Sequence, residues 1–274
     1  MHKYSKLKDP FKYYWHKIQK HRCKYYEIPA VPPEKNFDGV RFVFDMTLDY
    51  HIKRMYFGLY EPELRKFLKK HLKPGDVFFD IGANVGYMSA IGASLVGKAG
   101  KIHSFEPVPK YFEQLLQLSK LNPDYNITVN NFALGESSRE AFIDLHRSNI
   151  GMNSIVPGFV HEEDILEKLA VKMISLDEYL NENNIHKISF IKIDTEGYEL
   201  PVLKGAKEFF NNNKSNLPLI LAEVSTTSYE LMNCSIKELD DFMKELGYKA
   251  YDALTKKRIN LLTLKKQHDI LFLS

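Results

Sequence analysis

Val77-Phe-Phe-Asp80-Ile-Gly82-Ala-Asn84-Val-Gly86-Tyr87 carries an apolar strand straight into a turn with two glycines, then into a helix rich in small residues (Ser89, Ala90, Gly92, Ala93). Gly82 and Gly86 let the backbone approach a ligand closely, and the N–H groups at a helix start can bind its polar end. Taken alone, the pair also fits an ordinary strand-to-helix turn. The next predicted strand supplies the context. It ends in Ser104-Phe-Glu106-Pro107, with Glu106 twenty-four positions after Gly82. A carboxylate at the end of the second strand is where nucleotide-type ligands have their ribose hydroxyls gripped.

Two ligands fit such a pair of features, a nicotinamide dinucleotide and S-adenosylmethionine. The dinucleotide turn needs G-x-G-x-x-G to seat a pyrophosphate. Here the middle glycine is missing and Asp80 stands just before the turn. An anion repels a pyrophosphate but attracts a sulfonium that also bears an ammonium group. The acidic turn selects the methyl donor.

Around this stretch, strands and helices alternate. Strands are predicted at Val77–Ile81, Lys101–Phe105, Ile127–Phe132, Ile188–Ile193, Leu217–Val224, Tyr248–Tyr251 and Ile270–Leu273. Helices are predicted near Val85–Leu95, Lys110–Leu121, Leu176–Asn183, Leu200–Phe210 and Ile236–Leu246, with a further one opening at Glu61-Pro62. Ser175 with Glu178, and Ser235 with Glu238, have capping-box spacing. Such alternation predicts an α/β fold, a doubly wound and mostly parallel sheet that binds ligands outside the carboxyl ends of its strands. Arg41–Asp49 reads as a strand or hairpin, Arg139–Leu145 as an extra strand, and Asn149–Gly158 as a loop able to wall a substrate site.

The ordered motifs resemble the FkbM-type family of class I S-adenosylmethionine-dependent methyltransferases. They are Leu59-Tyr-Glu-Pro-Glu-Leu64, Pro74-Gly-Asp-Val-Phe-Phe-Asp-Ile-Gly-Ala-Asn-Val-Gly-Tyr87, Phe105-Glu-Pro107, Asn131-Phe-Ala-Leu-Gly-Glu136, Ile174-Ser-Leu-Asp-Glu-Tyr-Leu180, Ile191-Lys-Ile-Asp-Thr-Glu-Gly-Tyr-Glu199 and Leu221-Ala-Glu-Val224. The resemblance implies a Rossmann-like seven-stranded sheet whose last strand, Ile270–Leu273, is antiparallel. It implies that Asp80, Gly82, Ala83, Asn84, Gly86 and Tyr87 surround the methionine part of the cofactor, with S-adenosylhomocysteine as product. It places Glu106 and Pro107 at the ribose, Asn131, Phe132 and Ala133 beside the adenine, and Tyr60 and Glu61 over the site.

Asp194, Glu196 and Glu223, at predicted strand ends, are the candidates for catalysis, and Asp194 also for the cofactor ammonium. His146 and His161 are further candidate bases, and Glu199 reads as a helix cap. A hydroxyl acceptor needs its proton removed by such a base. No spacing resembles a metal cage, so no metal is expected. The family implies methylation of a sugar, glycan or secondary-metabolite hydroxyl. The alternatives are a nucleic-acid methyltransferase guided by a basic arm, made less favourable by the absence of an Asn/Asp-Pro-Pro-Tyr tetrapeptide, and a nicotinamide oxidoreductase.

That arm is residues 1–36, ahead of a methyltransferase domain at 37–274. It holds nine basic residues against three acidic ones, a net +6, in a chain whose formal charge is +3. Phe11, Tyr14, Trp15 and Ile18 fall at helical spacing. Docking to membrane headgroups or nucleic acid is one reading; the plainer one lays this aromatic stripe on the main domain, with lysines outside. Nucleic acid is not the expected partner. Cys23 and Cys234, the two cysteines, suit no disulfide framework or metal spacing. With no apolar signal core, a soluble cytoplasmic protein is expected.

Overall fold

The computed structural model describes residues 10–274. Helix α1 (Pro10–Tyr25) leads to the hairpin β1 (Glu34–Phe37) and β2 (Val40–Val43), then α2 (Tyr50–Tyr56) and α3 (Pro62–His71). The alternating body follows as β3 (Val77–Ile81), α4 (Tyr87–Val96), β4 (Lys101–Phe105), α5 (Pro109–Leu121) and β5 (Asn126–Asn130). Three strands form a side sheet: β6 (Ala133–Gly135), β7 (Arg139–His146) and β8 (Ile165–Ser175). The chain then returns through α6 (Leu176–Glu182), β9 (Phe190–Ile193), α7 (Glu199–Lys204), α8 (Lys207–Asn212), β10 (Leu219–Val224), α9 (Thr226–Leu231), α10 (Ile236–Glu245), β11 (Lys249–Asp252) and β12 (His268–Leu273).

The main sheet has the order β11-β12-β10-β9-β3-β4-β5, and β12 alone runs antiparallel to its neighbours. This is the seven-stranded class I methyltransferase arrangement. β3 and β9 lie side by side although more than a hundred residues separate them, and the chain winds away from that pair in both directions. Their carboxyl ends mark the topological switch point where open α/β sheets bind ligands. Each strand of the pair is buried along nearly its whole length, as a strand covered on both faces must be.

Local chemistry sets the element ends. Ser175 and Ser235 each accept the backbone N–H of the glutamate three residues on. Pro62 takes the first turn of α3, where a missing N–H costs nothing. The helix expected over Leu200–Phe210 is two, α7 and α8, because the chain bends at Gly205. A Cβ there would meet the Gly135 carbonyl oxygen at 2.0 Å, so only glycine lets the two backbones touch. The third strand stops at Asn130 rather than Phe132, and a new strand begins at Ala133 in the side sheet. The extra strand at Arg139 is present, paired along its length with the unexpected β8.

The N-terminal arm departs from the plainer reading. Tyr14, Trp15 and Ile18 are exposed, at 48%, 44% and 56%, while Cys23 is buried against Phe57 and Leu59. The helix sits on the domain by a different line of residues from its aromatic stripe. The Phe11 side chain, with Lys3, Lys6, Lys8 and Lys12, lies outside the described residues. The boundary drawn after Asn36 falls inside β1, whose pairing runs from Glu34↔Val43 to Phe37↔Val40. Phe37, Phe42 and Phe44 from this region close an aromatic cluster over Tyr87. Among the described residues, no helix is long and apolar enough to cross a membrane.

Candidate active site

A cavity of about 390 Å³ opens at the switch point, a size suited to a small-molecule cofactor with an acceptor. Its floor is the junction of β3 and β9. Gly82 turns there with φ of 74°, and a Cβ on it would stand 1.8 Å from the Asp194 carbonyl oxygen. Gly82 and Ala83 both donate to the Phe105 carbonyl, which ties this turn to the end of β4. The close approach that Gly82 permits in the structure is to the backbone of the neighbouring strand end.

At the end of β4, Glu106 is 6% exposed and lines the cavity. It accepts the backbone N–H groups of Asn84 at 2.9 Å and Val108 at 2.8 Å. Burial pushes its carboxyl up to about 7, against the pull of those amides and of Lys192. One acid thus fixes the glycine turn and keeps lone pairs for a ligand. Asn84 sits in the left-handed region at φ of 51° and donates its side-chain amide to the Ile150 carbonyl at 2.9 Å.

Beyond β9 carboxyl groups gather. Asp194, Glu196 and Glu223 offer carboxylate oxygens that all lie within 4.8 Å of one another. All three were expected at strand ends, and the pairing of β9 with β10 brings Glu223 beside the other two. Burial, then the charge of Asp194, raises Glu196 to about 9 and Glu223 to about 10. Glu61 is raised to about 7 by burial and then by Asp194. Tyr60 and Glu61 line the same end, with Glu61 left-handed at φ of 37°.

The remaining expected residues divide sharply. Pro107, Phe132 and Ala133 line the cavity. Asp80, Ala83, Gly86, Tyr87 and Asn131 are absent from its wall. Asp80 points to the helix face of the sheet, where it is fully buried, accepts Ser89 Oγ at 2.6 Å and pairs with Lys192 at 3.3 Å. Its charge is consumed inside the core, and the carboxyls that reach the cavity come instead from Glu61, Glu106 and the cluster after β9. Tyr87 gives its hydroxyl to the Met55 carbonyl at 3.2 Å, inside the aromatic cluster. Gly86 caps α4 against Leu115. Asn131 donates to the carbonyls of Glu106 and Pro107, shaping the wall from behind. Glu199 folds back to accept the Gly197 N–H at 2.9 Å, the cap expected of it. His146 and His161 do not line the cavity.

Two features escaped the sequence reading. Lys192 is buried inside β9, 3.3 Å from Asp80 and 3.2 Å from Asp194. Burial disfavours its charge, but Asp194, Asp80 and Glu61 hold the ammonium above its ordinary range. An ionic residue in Phe190-Ile-Lys-Ile193 was the signal: a lysine in a buried strand needs carboxylates around it. The second is His51 on α2, which lines the cavity with its Nδ1 2.7 Å from Asp49 Oδ1. Helix α2 was not predicted, so this pair had no place to be read from.

The loop expected to wall the site does so. Asn149, Ile150, Met152, Asn153, Ile155 and Phe159 line the cavity. The loop is pinned at Asn84, at Asp49 through the Ile150 N–H, and at the Glu196 carbonyl through Ser154 Oγ.

The family model described as the methyltransferase FkbM domain matches residues 80–250. The chain belongs to this family of S-adenosylmethionine-dependent methyltransferases. Two curated relatives are similar to it. One is the hexuronic acid methyltransferase AglP of Haloferax volcanii, 30% identical over 145 residues, which are 53% of this chain and 56% of that protein. The other is the 31-O-demethyl-FK506 methyltransferase FkbM of Streptomyces tacrolimicus, 25% identical over 169 residues, 50% of this chain and 62% of that protein. The chain therefore spans little more than half the length of either. Among solved structures, fibrillarin from Aeropyrum pernix with natively bound S-adenosyl-L-methionine is similar at 13% identity and a TM-score of 0.39, over 92% of this chain and 86% of that one. Family membership removes the nicotinamide oxidoreductase alternative.

Proposed function

We propose that this FkbM-family methyltransferase moves the methyl group of S-adenosylmethionine onto a hydroxyl of a sugar, glycan or secondary metabolite. One observation carries the reading: Gly82, Glu106 and the acids after β9 line a single cavity at the switch point. A relative that acts as a hexuronic acid methyltransferase supports a sugar-class acceptor, and one that acts as a 31-O-demethyl-FK506 methyltransferase supports oxygen as the acceptor atom.

The residues suit the cofactor. Glu106 is placed to take ribose hydroxyls, Phe132 and Ala133 to cover the adenine, and Asp194 with Glu61 to take the ammonium. Glu196 and Glu223, raised by burial and then by the charge of Asp194, provide a pocket that a cation relieves. S-adenosylmethionine supplies an electrophilic methyl group on a sulfonium that leaves readily. What the protein contributes is alignment in a water-poor pocket and removal of the acceptor proton.

For that proton there are two sources of base. Asp194, Glu196 and Glu223 are the acids within the cavity. His51 lines the same cavity with Nδ1 2.7 Å from Asp49 Oδ1, the carboxylate-oriented imidazole used in many base sites; in the Nδ1–H tautomer, Nε2 is the atom left to accept a proton. We assign the base to His51, because Glu196 and Glu223 hold their own protons near neutrality and become anionic only when a cation binds beside them. The two cysteines, free and far apart, fit a reduced compartment such as the cytoplasm.

The test is incubation with labelled methyl donor and a panel of uronic acids, neutral glycans, small hydroxyl compounds and RNA, with and without chelator. Label in hydroxyl compounds, insensitive to chelator and lost in His51→Ala, supports the reading. Label only in RNA rejects it.

A further inference from the structure

Helix α1 is seated on the rest of the protein through its C-terminal turns. Cys23 packs with Phe57 and Leu59, Tyr26 lies beside them, and the Arg22 guanidinium stands 5.5 Å from the Phe57 ring. On another face, Tyr14, Ile18 and Tyr25 follow one another at i, i+4 and i+11, a single stripe, and Tyr25 is 63% exposed. Trp15 flanks the stripe, and the connector after the helix adds exposed Ile28 and Val31. These six side chains crowd into eighteen residues, the densest exposed apolar surface among the described residues.

Charge lies alongside it. Lys17, Lys20 and Lys24 form an exposed row at i, i+3 and i+7 next to the stripe. Across a crevice lined by Trp15, helix α3 adds exposed Lys66 and Lys69. The first 36 residues carry net +6 while the whole chain carries +3, so the remainder is net −3. A negative surface therefore attracts this end of the molecule and repels the rest. Cations alone would suit a nucleic acid equally. The aliphatic Ile18, Ile28 and Val31 between the rings suit a bilayer interface, where tyrosine, tryptophan and aliphatic side chains settle at the headgroup boundary.

We propose that α1 and the connector behind it dock the protein on an anionic lipid surface. Helix α1 is seated on Phe57 and Leu59, which lead directly into Tyr60 and Glu61 of the cavity wall.

Trp15 is the sole tryptophan, so its emission reports this face without a label. The full chain is mixed with vesicles of phosphatidylcholine, or of phosphatidylcholine with phosphatidylglycerol, at low ionic strength. The expected result is a blue shift of Trp15 and co-sedimentation with the anionic vesicles only, both fading as salt is raised. Lys20→Glu with Lys24→Glu should weaken partitioning about 25-fold or more, at about fivefold per lysine. Ile18→Ser with Tyr25→Ser should remove the blue shift. Both variants are checked for an unchanged thermal melt, and the salt titration of the unaltered protein needs no variant at all. No response to either vesicle, equal binding to neutral vesicles, or binding of an RNA oligonucleotide in place of vesicles would each overturn the proposal.

Discussion

Lys192 Nζ lies 3.2 Å from Asp194 Oδ2, two positions on and just past the end of β9. That contact joins the buried core to the cavity, because the lysine also meets Asp80 on the adjacent strand and Asp194 lines the site. The fixed ammonium orients the acid that the cofactor needs. A buried charge left without its partner is costly.

Lys192→Met should therefore cost about 3–5 kcal/mol, since it strands two carboxylates at once. Adding Asp80→Asn should recover part of the loss, as the Ser89 hydrogen bond survives. Denaturant unfolding of the single and double variants measures this. A single variant as stable as the parent would contradict the assignment.

Glu196 occupies the left-handed region at φ of 49°, a conformation that costs a side-chain-bearing residue about 1–2 kcal/mol. Glu196→Gly removes both this strain and a buried acid. The expected outcome is a midpoint equal to or above the parent's, with methyl transfer reduced tenfold or more. Unfolding curves and initial rates on the same preparation decide it.

Gly82→Ala should be among the most damaging substitutions. The new Cβ would sit 1.8 Å from the Asp194 carbonyl oxygen, at a φ of 74°. A loss of about 3 kcal/mol or more is expected, measured by thermal unfolding, and cofactor binding falls with it.

The pH dependence has a defined sign. Glu196 and Glu223 titrate near 9 and 10 when folded, against 4.5 ordinarily. The folded protein thus holds protons that the unfolded chain releases, so stability is full below pH 4.5 and falls as pH rises toward 9 to 10. A cation bound beside these acids should release their protons. Calorimetric titration with S-adenosylmethionine at pH 8, in two buffers of different ionisation enthalpy, should show net proton release, reduced in Asp194→Asn. Uptake, or no exchange, would contradict the cluster's role.

The fold was legible because alternation and turn chemistry are local. The β3 strand, its glycine turn and the acid at the end of β4 lie within thirty residues and needed no tertiary information. The acidic trio was named from the predicted strand ends, but its closeness comes from the pairing of β9 with β10, which no local pattern encodes. Asp80 misled for a related reason: sequence places it beside the turn, but strand alternation sends its side chain to the helix face, where Ser89 and Lys192 absorb it. β8 was missed because Glu167-Lys-Leu-Ala170 has no period-two pattern, which emerges only at Val171-Lys-Met173. The arm's stripe was read correctly as helical, but Cys23, an unremarkable residue in sequence, decides which face is buried.

The central claim is that the cofactor lies between the Gly82 turn and the acids after β9, with Glu106 at its ribose. Direct titration of S-adenosylmethionine into the unaltered protein and into Glu106→Gln tests it. The account predicts saturable binding to the parent and an affinity at least about tenfold weaker in the variant, from loss of a charge-assisted hydrogen bond, with the fold intact by circular dichroism. Undiminished affinity in Glu106→Gln, or no binding by the parent, would contradict it.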